Sequence, residues 1–157
     1  MQTQHRESTI ARLRSLTHLL DNALPIPGTK YRVGIDPLIG LFPGGGDVAM
    51  SLVSVYIVVE AARLGIPRAS LARMMWNLIL DALLGIIPMA GDFVDLAWKA
   101  NSKNLALIEA HLAQSRQQEK ADYLFVALLV VVFLSIVLAL SGLTIFLIGS
   151  IWNAIFR

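Results

Sequence analysis

Asp36-Pro37-Leu38-Ile39-Gly40-Leu41-Phe42-Pro43-Gly44-Gly45-Gly46-Asp47 returns 45 residues later as Asp81-Ala82-Leu83-Leu84-Gly85-Ile86-Ile87-Pro88-Met89-Ala90-Gly91-Asp92. The shared frame is D-x3-G-x2-P-x2-G-D, with apolar residues at most of the variable positions. Five fixed positions recurring in register point to an internal duplication. Each copy reads the same way physically. An apolar segment carries a carboxylate, Pro breaks it, Gly turns the chain, and Asp opens a new helix.

Around this phrase the chain is unusually apolar. It is 56% hydrophobic and only 15% charged over 157 residues, whereas soluble domains carry about 25% charged residues. A mean hydropathy of +0.66 agrees. The surplus belongs in lipid or in an oligomer core. The net charge of +2 is small, and no basic run with interleaved aromatics occurs, which argues against a nucleic-acid partner. With no cysteine, disulfides, thiolate metal sites and Cys nucleophiles are excluded. The polar start, Met1 to Glu7, does not lead into the apolar stretch of a signal peptide.

Upstream of the repeat, residues 7–24 place Ile10, Leu13, Leu16, Leu20 and Leu24 three to four apart, with Arg12, Arg14 and Asp21 between them. This predicts an amphipathic helix that packs on the rest of the protein or lies on an anionic membrane surface. Leu24-Pro25-Ile26-Pro27-Gly28-Thr29 follows as a stiff, non-helical connector. Residues 1–29 thus form an N-terminal unit, and 30–113 a duplicated helical core.

Within the core, Asp47 to Leu64 predicts a helix about 27 Å long, just enough to cross a bilayer. Gly65-Ile66-Pro67 ends it. A second helix is expected from Arg68 to Ile87 and a third from Asp92 to Ala113. Residues 114–157 form a C-terminal unit, a polar connector followed by the charge-free run Tyr123 to Leu140, a transmembrane helix. Beyond Ser141-Gly142 a last apolar stretch reaches Phe156. It continues the same helix, turns back, or lies along the interface with Trp152 as an anchor.

If the helices from Asp47 and Arg68 form a hairpin, both motif copies lie at the same end and converge. That gathers Asp36, Asp47, Asp81 and Asp92, with Asp95 one turn further. N-capping accounts for Asp47 and Asp92, and Pro37 allows the same for Asp36. Asp81 is different. It sits between apolar residues in mid-helix, where an unpaired carboxylate is expensive. Its partner is Arg73, Arg32 or a cation shared with Asp36. Clustered carboxylates without Cys or a well-placed His select a hard ion, Mg²⁺, Ca²⁺ or Mn²⁺. Gly40, Pro43, Gly46, Gly85, Pro88 and Gly91 shape the backbone there, and Asn77 with Arg73 offers polar support. Asn101 and Asn104 are further candidates for buried hydrogen bonds, and Glu60 pairs with Arg63. No organic cofactor is implied.

Ile26-Pro27-Gly28-Thr29, Gly34 to Asp47, Met74-Met75-Trp76-Asn77 and Pro88 to Asp95 together resemble a family of small bacterial and fungal membrane-associated proteins, the domain-of-unknown-function family numbered 4112. The resemblance covers residues 15–112. It implies membrane association and carries no activity, substrate or site.

The sequence therefore predicts an all-α, multi-pass integral membrane protein with a duplicated helix-turn-helix core, in the inner membrane if the source is bacterial. Its partners are the lipid bilayer and further copies of itself. The first functional expectation is a non-enzymatic protein binding a divalent cation at the paired motifs, as a small oligomeric channel or transporter. The second is a non-catalytic structural or interaction module whose Asp residues cap helices and pair with cations. A metal-dependent hydrolase is a third reading for which no nucleophile or base can be named.

Overall fold

A computed structural model describes residues 2–25, 27, 28, 32–35, 46–84, 99–114 and 120–156. Five helices account for most of them: α1 (Gln2–Asn22), α2 (Gly46–Arg63), α3 (Arg68–Leu84), α4 (Ala100–Gln114) and α5 (Tyr123–Phe156). A two-residue antiparallel ladder pairs β1 (Leu24–Pro25) with β2 (Arg32–Val33). The stretch expected to be a plain connector therefore folds back on itself, turning through Gly28 at φ +79°.

The turn between α2 and α3 is set by its sequence. Gly65 adopts φ +83°, a conformation open to glycine without a Cβ penalty. Its N–H donates to Ala62 O at 3.0 Å, and the Ile66 N–H donates to Ala61 O at 3.1 Å. This double bond pattern closes a helix C-terminus with glycine just past the last turn. The Pro67 carbonyl then accepts from Ser70 and Leu71 N–H, at 2.9 and 3.0 Å, and so opens α3. α2 and α3 form the expected hairpin, and its far end holds Gly46 and Leu84.

One core joins all five helices. Leu13 and Leu20 of α1, Ile57 and Val58 of α2, Met74 and Met75 of α3, and Ile108 of α4 are buried, as are Val126, Phe133 and Val137 of α5. Full burial of one such side chain is worth about 1.5–3 kcal/mol. The buried face of α1 also includes Thr9, Thr17 and Asp21, so Asp21 does not belong to the solvated face on which the sequence pattern placed it. α1 packs on the protein, against α4 and α2. Gly34, just after β2, lies so close to α1 that a Cβ there would sit 1.2 Å from Leu20 O.

The start of one helix differs from expectation. The helix foreseen from Asp92 to Ala113 is described from Ala100, and Lys99 ahead of it has φ +45°. A left-handed residue cannot continue a right-handed helix, so no single helix runs through this point. α3 is described to Leu84, and residues 85–98 lie outside the described set. α5, in contrast, passes straight through Ser141-Gly142 as one helix of 34 residues, about 51 Å long.

Asp122 starts α5. Its Oδ1 accepts the Phe125 N–H at 3.0 Å and its carbonyl accepts the Val126 N–H at 3.0 Å, the geometry of an N-cap. Arg68 donates to the other carboxylate oxygen and stacks over the Phe125 ring at 5.6 Å. The starts of α3 and α5 therefore lie together, and the two helices run side by side in the same direction. The last buried residue of α5 is Val137. From Gly142 to Phe156 every residue but Thr144 is exposed. The second half of α5 is a charge-free apolar rod that leaves the bundle at the end holding Gly46 and Leu84.

Candidate functional site

The described part of the site is a polar seam between α1, α4 and α3, with an open groove on its outer side. The seam begins with a helix that cannot cap itself. Lys99 holds the position before α4, and its carbonyl accepts the Lys103 N–H at 3.1 Å. Its side chain has no acceptor for the free N–H groups of the first turn. Asp21, at the end of α1, supplies one. Its Oδ2 accepts the Ser102 N–H at 2.6 Å and its Oδ1 accepts from Asn101 Nδ2 at 3.0 Å. Asn22 donates to Ser102 Oγ at 3.2 Å and its Oδ1 accepts from Lys99 Nζ. Arg32 Nε donates to the Asn22 carbonyl at 2.9 Å, which ties the ribbon to the same point.

Further along α4, Asn104 is fully buried. Its Oδ1 accepts from Asn77 Nδ2 at 2.8 Å and its Nδ2 donates to the Met74 carbonyl at 3.1 Å. This amide clasps α4 to α3. At the other end of the α1–α4 pair, Arg14 Nε donates to Glu109 at 2.7 Å. Since Asp21 meets Ser102 and Arg14 meets Glu109, the two helices are antiparallel. Two buried oxygens, Thr17 Oγ1 and Asn101 Oδ1, have no hydrogen-bond partner among the described residues.

On the outer face of α3 and α4 lies a groove of about 450 Å³ lined by Arg73, Trp76, Asn77, Lys103, Ala106 and Leu107. Trp76 stands at its edge with 56% of its surface exposed.

Of the residues singled out in the sequence, the structure places Asp81 on α3, half-buried, one turn before Leu84. Arg73 is exposed on the groove and Asn77 joins the amide clasp. Gly46 is the first residue of α2 and Asp47 the second, so α2 starts two residues earlier than a cap at Asp47 implies. Asp36, Gly40, Pro43, Gly85, Pro88, Gly91, Asp92 and Asp95 lie outside the described residues, as does the Asp47 side chain. Among the described residues, no group of three His, Cys, Asp or Glu side chains is placed to hold a metal. Glu60 pairs with Arg63 at 2.6 Å as expected, and also with Arg12 at 3.5 Å. Asp21 was missed as a site residue because its partner helix begins some eighty residues away.

This architecture defines a small helical bundle that carries, among the described residues, one helix long and apolar enough to cross a membrane, with a mean hydropathy of 3.1 over its most apolar stretch. A family model described as Domain of unknown function (DUF4112) matches residues 9–112, more than half of the chain, and the protein belongs to that family. The matched span takes in the seam and the groove and ends before α5. No curated protein and no solved structure matches the chain.

Proposed function

We propose that this protein is a membrane-anchored, non-catalytic helical module, held in the bilayer by α5 and presenting its bundle for interaction. The carrying observation is α5 itself. Thirty-four residues without a charge leave one face on α2 and α3 and expose Leu124, Leu128, Val131 and Leu138 along the other. Water would cover this surface at great cost, whereas lipid matches it. Four of the described carboxylates fit the same reading, since Asp21 and Asp122 cap helices and Glu60 and Glu109 pair with arginines. Washing membranes that contain the full-length chain with alkaline carbonate tests the anchor. Retention in the pellet supports it, and release into the supernatant refutes it.

A second reading assigns divalent-cation binding to the end of the bundle where the motif copies meet, in an oligomeric channel or transporter. It is favoured by the α2–α3 hairpin, which returns the chain so that Gly46 and Asp81 lie toward one end. Titration calorimetry with Mg²⁺, Ca²⁺ and Mn²⁺ tests it on the full-length protein and on Asp36→Asn/Asp81→Asn. Saturable heat lost in a folded double variant supports this reading. Absence of heat in the wild type removes it and leaves the anchor reading intact.

A further inference from the structure

The groove between α3 and α4 combines features that a folded protein seldom leaves open together. Its walls are largely apolar, through Trp76, Ala106 and Leu107, and two cations, Arg73 and Lys103, stand on opposite helices beside them. Among the described residues, no carboxylate lines it. The amide that could otherwise serve a polar ligand, Asn77 Nδ2, is directed to Asn104. A ligand complementary to this surface has an anionic head and an apolar body. α3, which forms one wall, packs its other side on α5, so the groove lies one helix away from the membrane-length segment.

We infer that this groove binds an anionic phospholipid, its phosphate between Arg73 and Lys103 and its acyl chain along Trp76, Ala106 and Leu107. The inference rests on the membrane-anchored reading. Basic pockets beside membrane helices recognise anionic head groups, and tryptophan favours the boundary between head group and chain. An acidic peptide fits less well, because its backbone needs hydrogen-bonding partners that the apolar walls do not offer. Arg73 is exposed and Lys103 half-buried.

The test is native mass spectrometry of the detergent-purified full-length chain, supplied with phosphatidylglycerol or with phosphatidylcholine. Wild type is expected to retain phosphatidylglycerol preferentially. Arg73→Gln and Lys103→Gln should each lower that retention about fivefold, with Arg73→Lys close to wild type. Equal retention of the two lipids, or preference unchanged in the Arg73→Gln/Lys103→Gln double variant, overturns the proposal. So does displacement of the lipid by inorganic phosphate or by an acidic peptide at comparable concentration, which would assign the site to a free anion or to a protein partner. Carbonate extraction of the double variant separates the two readings. A chain that stays in the membrane while losing its lipid preference keeps the anchor and confirms the groove. A chain that keeps its preference in detergent but washes out with carbonate removes the anchor alone.

Discussion

Replacing Asn104 with alanine should loosen the joint between α3 and α4 more than any exposed change on either helix. The side chain is fully buried and makes two hydrogen bonds, at 2.8 Å with Asn77 and 3.1 Å with the Met74 carbonyl. Each such bond contributes a net 0.5–1.5 kcal/mol, roughly. Truncation also leaves a small void, worth on the order of 1 kcal/mol. Asn77 faces the open groove, so water can take over its amide and limit the penalty on that side. The expected loss is about 2–3 kcal/mol, which for a chain of this size lowers the melting temperature by roughly 4–12 °C. Circular dichroism melts of the detergent-solubilised protein measure it. Asn77→Ala and the double variant complete the cycle, and the coupling between the two should be about 0.5–1.5 kcal/mol. A loss below about 0.5 kcal/mol for Asn104→Ala, or strict additivity of the pair, refutes the idea that this amide clasps the helices.

Gly34→Ala should be poorly tolerated, because the added methyl meets the Leu20 carbonyl at 1.2 Å and only a shift of β2 away from α1 relieves it. A loss of about 1–3 kcal/mol is expected on overpacking grounds, and a melting curve matching wild type contradicts the close approach. Thr17→Val should stabilise by about 1 kcal/mol, since it replaces a buried hydroxyl that lacks a partner among the described residues. Destabilisation would reveal a bond to that oxygen. The pKa of Asp122 is held below the ordinary carboxylate value, first by the Phe125 N–H and then by Arg68, against an opposing effect of desolvation. A pKa depressed by folding contributes stability above the unfolded value, and this is lost as pH falls through the folded one. Melting temperatures of wild type and Asp122→Asn should therefore differ at pH 7 and converge only as pH falls below the ordinary carboxylate range. A gap that persists in acid would mean that the carboxylate charge has no part in holding the start of α5.

The hairpin and the membrane-length helix were legible because their signals are local. Gly65-Ile66-Pro67 carries its own stop and start, and a run without a charge from Tyr123 onward leaves few alternatives. Ser141-Gly142 left the chain free to continue, to turn back or to lie along the interface, and α5 continues through it. Glycine weakens a helix chiefly by exposing backbone to water. That competition vanishes where the helix lies in lipid and every N–H must find its partner within the helix. Asp21 illustrates the opposite limit. Its position among Leu16, Leu20 and Leu24 suggested a solvated gap, but its burial follows from α4, whose first turn lacks a cap of its own. A cap supplied by another helix leaves no trace in local spacing. The pairing of Glu60 with Arg63 lay within one turn and was readable, whereas its second partner, Arg12, came from α1.

The direction of α5 ties these pieces together. Its start is pinned beside the α2–α3 turn by Asp122 and Arg68, where Arg63 and Lys120 add positive charge. α3 is 17 residues long, so after about 25 Å in parallel α5 has nothing left to pack on. It then runs free past the end of the bundle toward which Gly46 and Asp81 lie. A helix that anchored the bundle only as a tether would need no such partnered half. On the anchor reading proposed above, one that is clamped along α3 instead fixes the height and rotation of the whole bundle relative to the bilayer. The polar seam and the α3–α4 groove are built on that same α3, and the Asp122–Arg68 pair helps to fix where α5 stands against them.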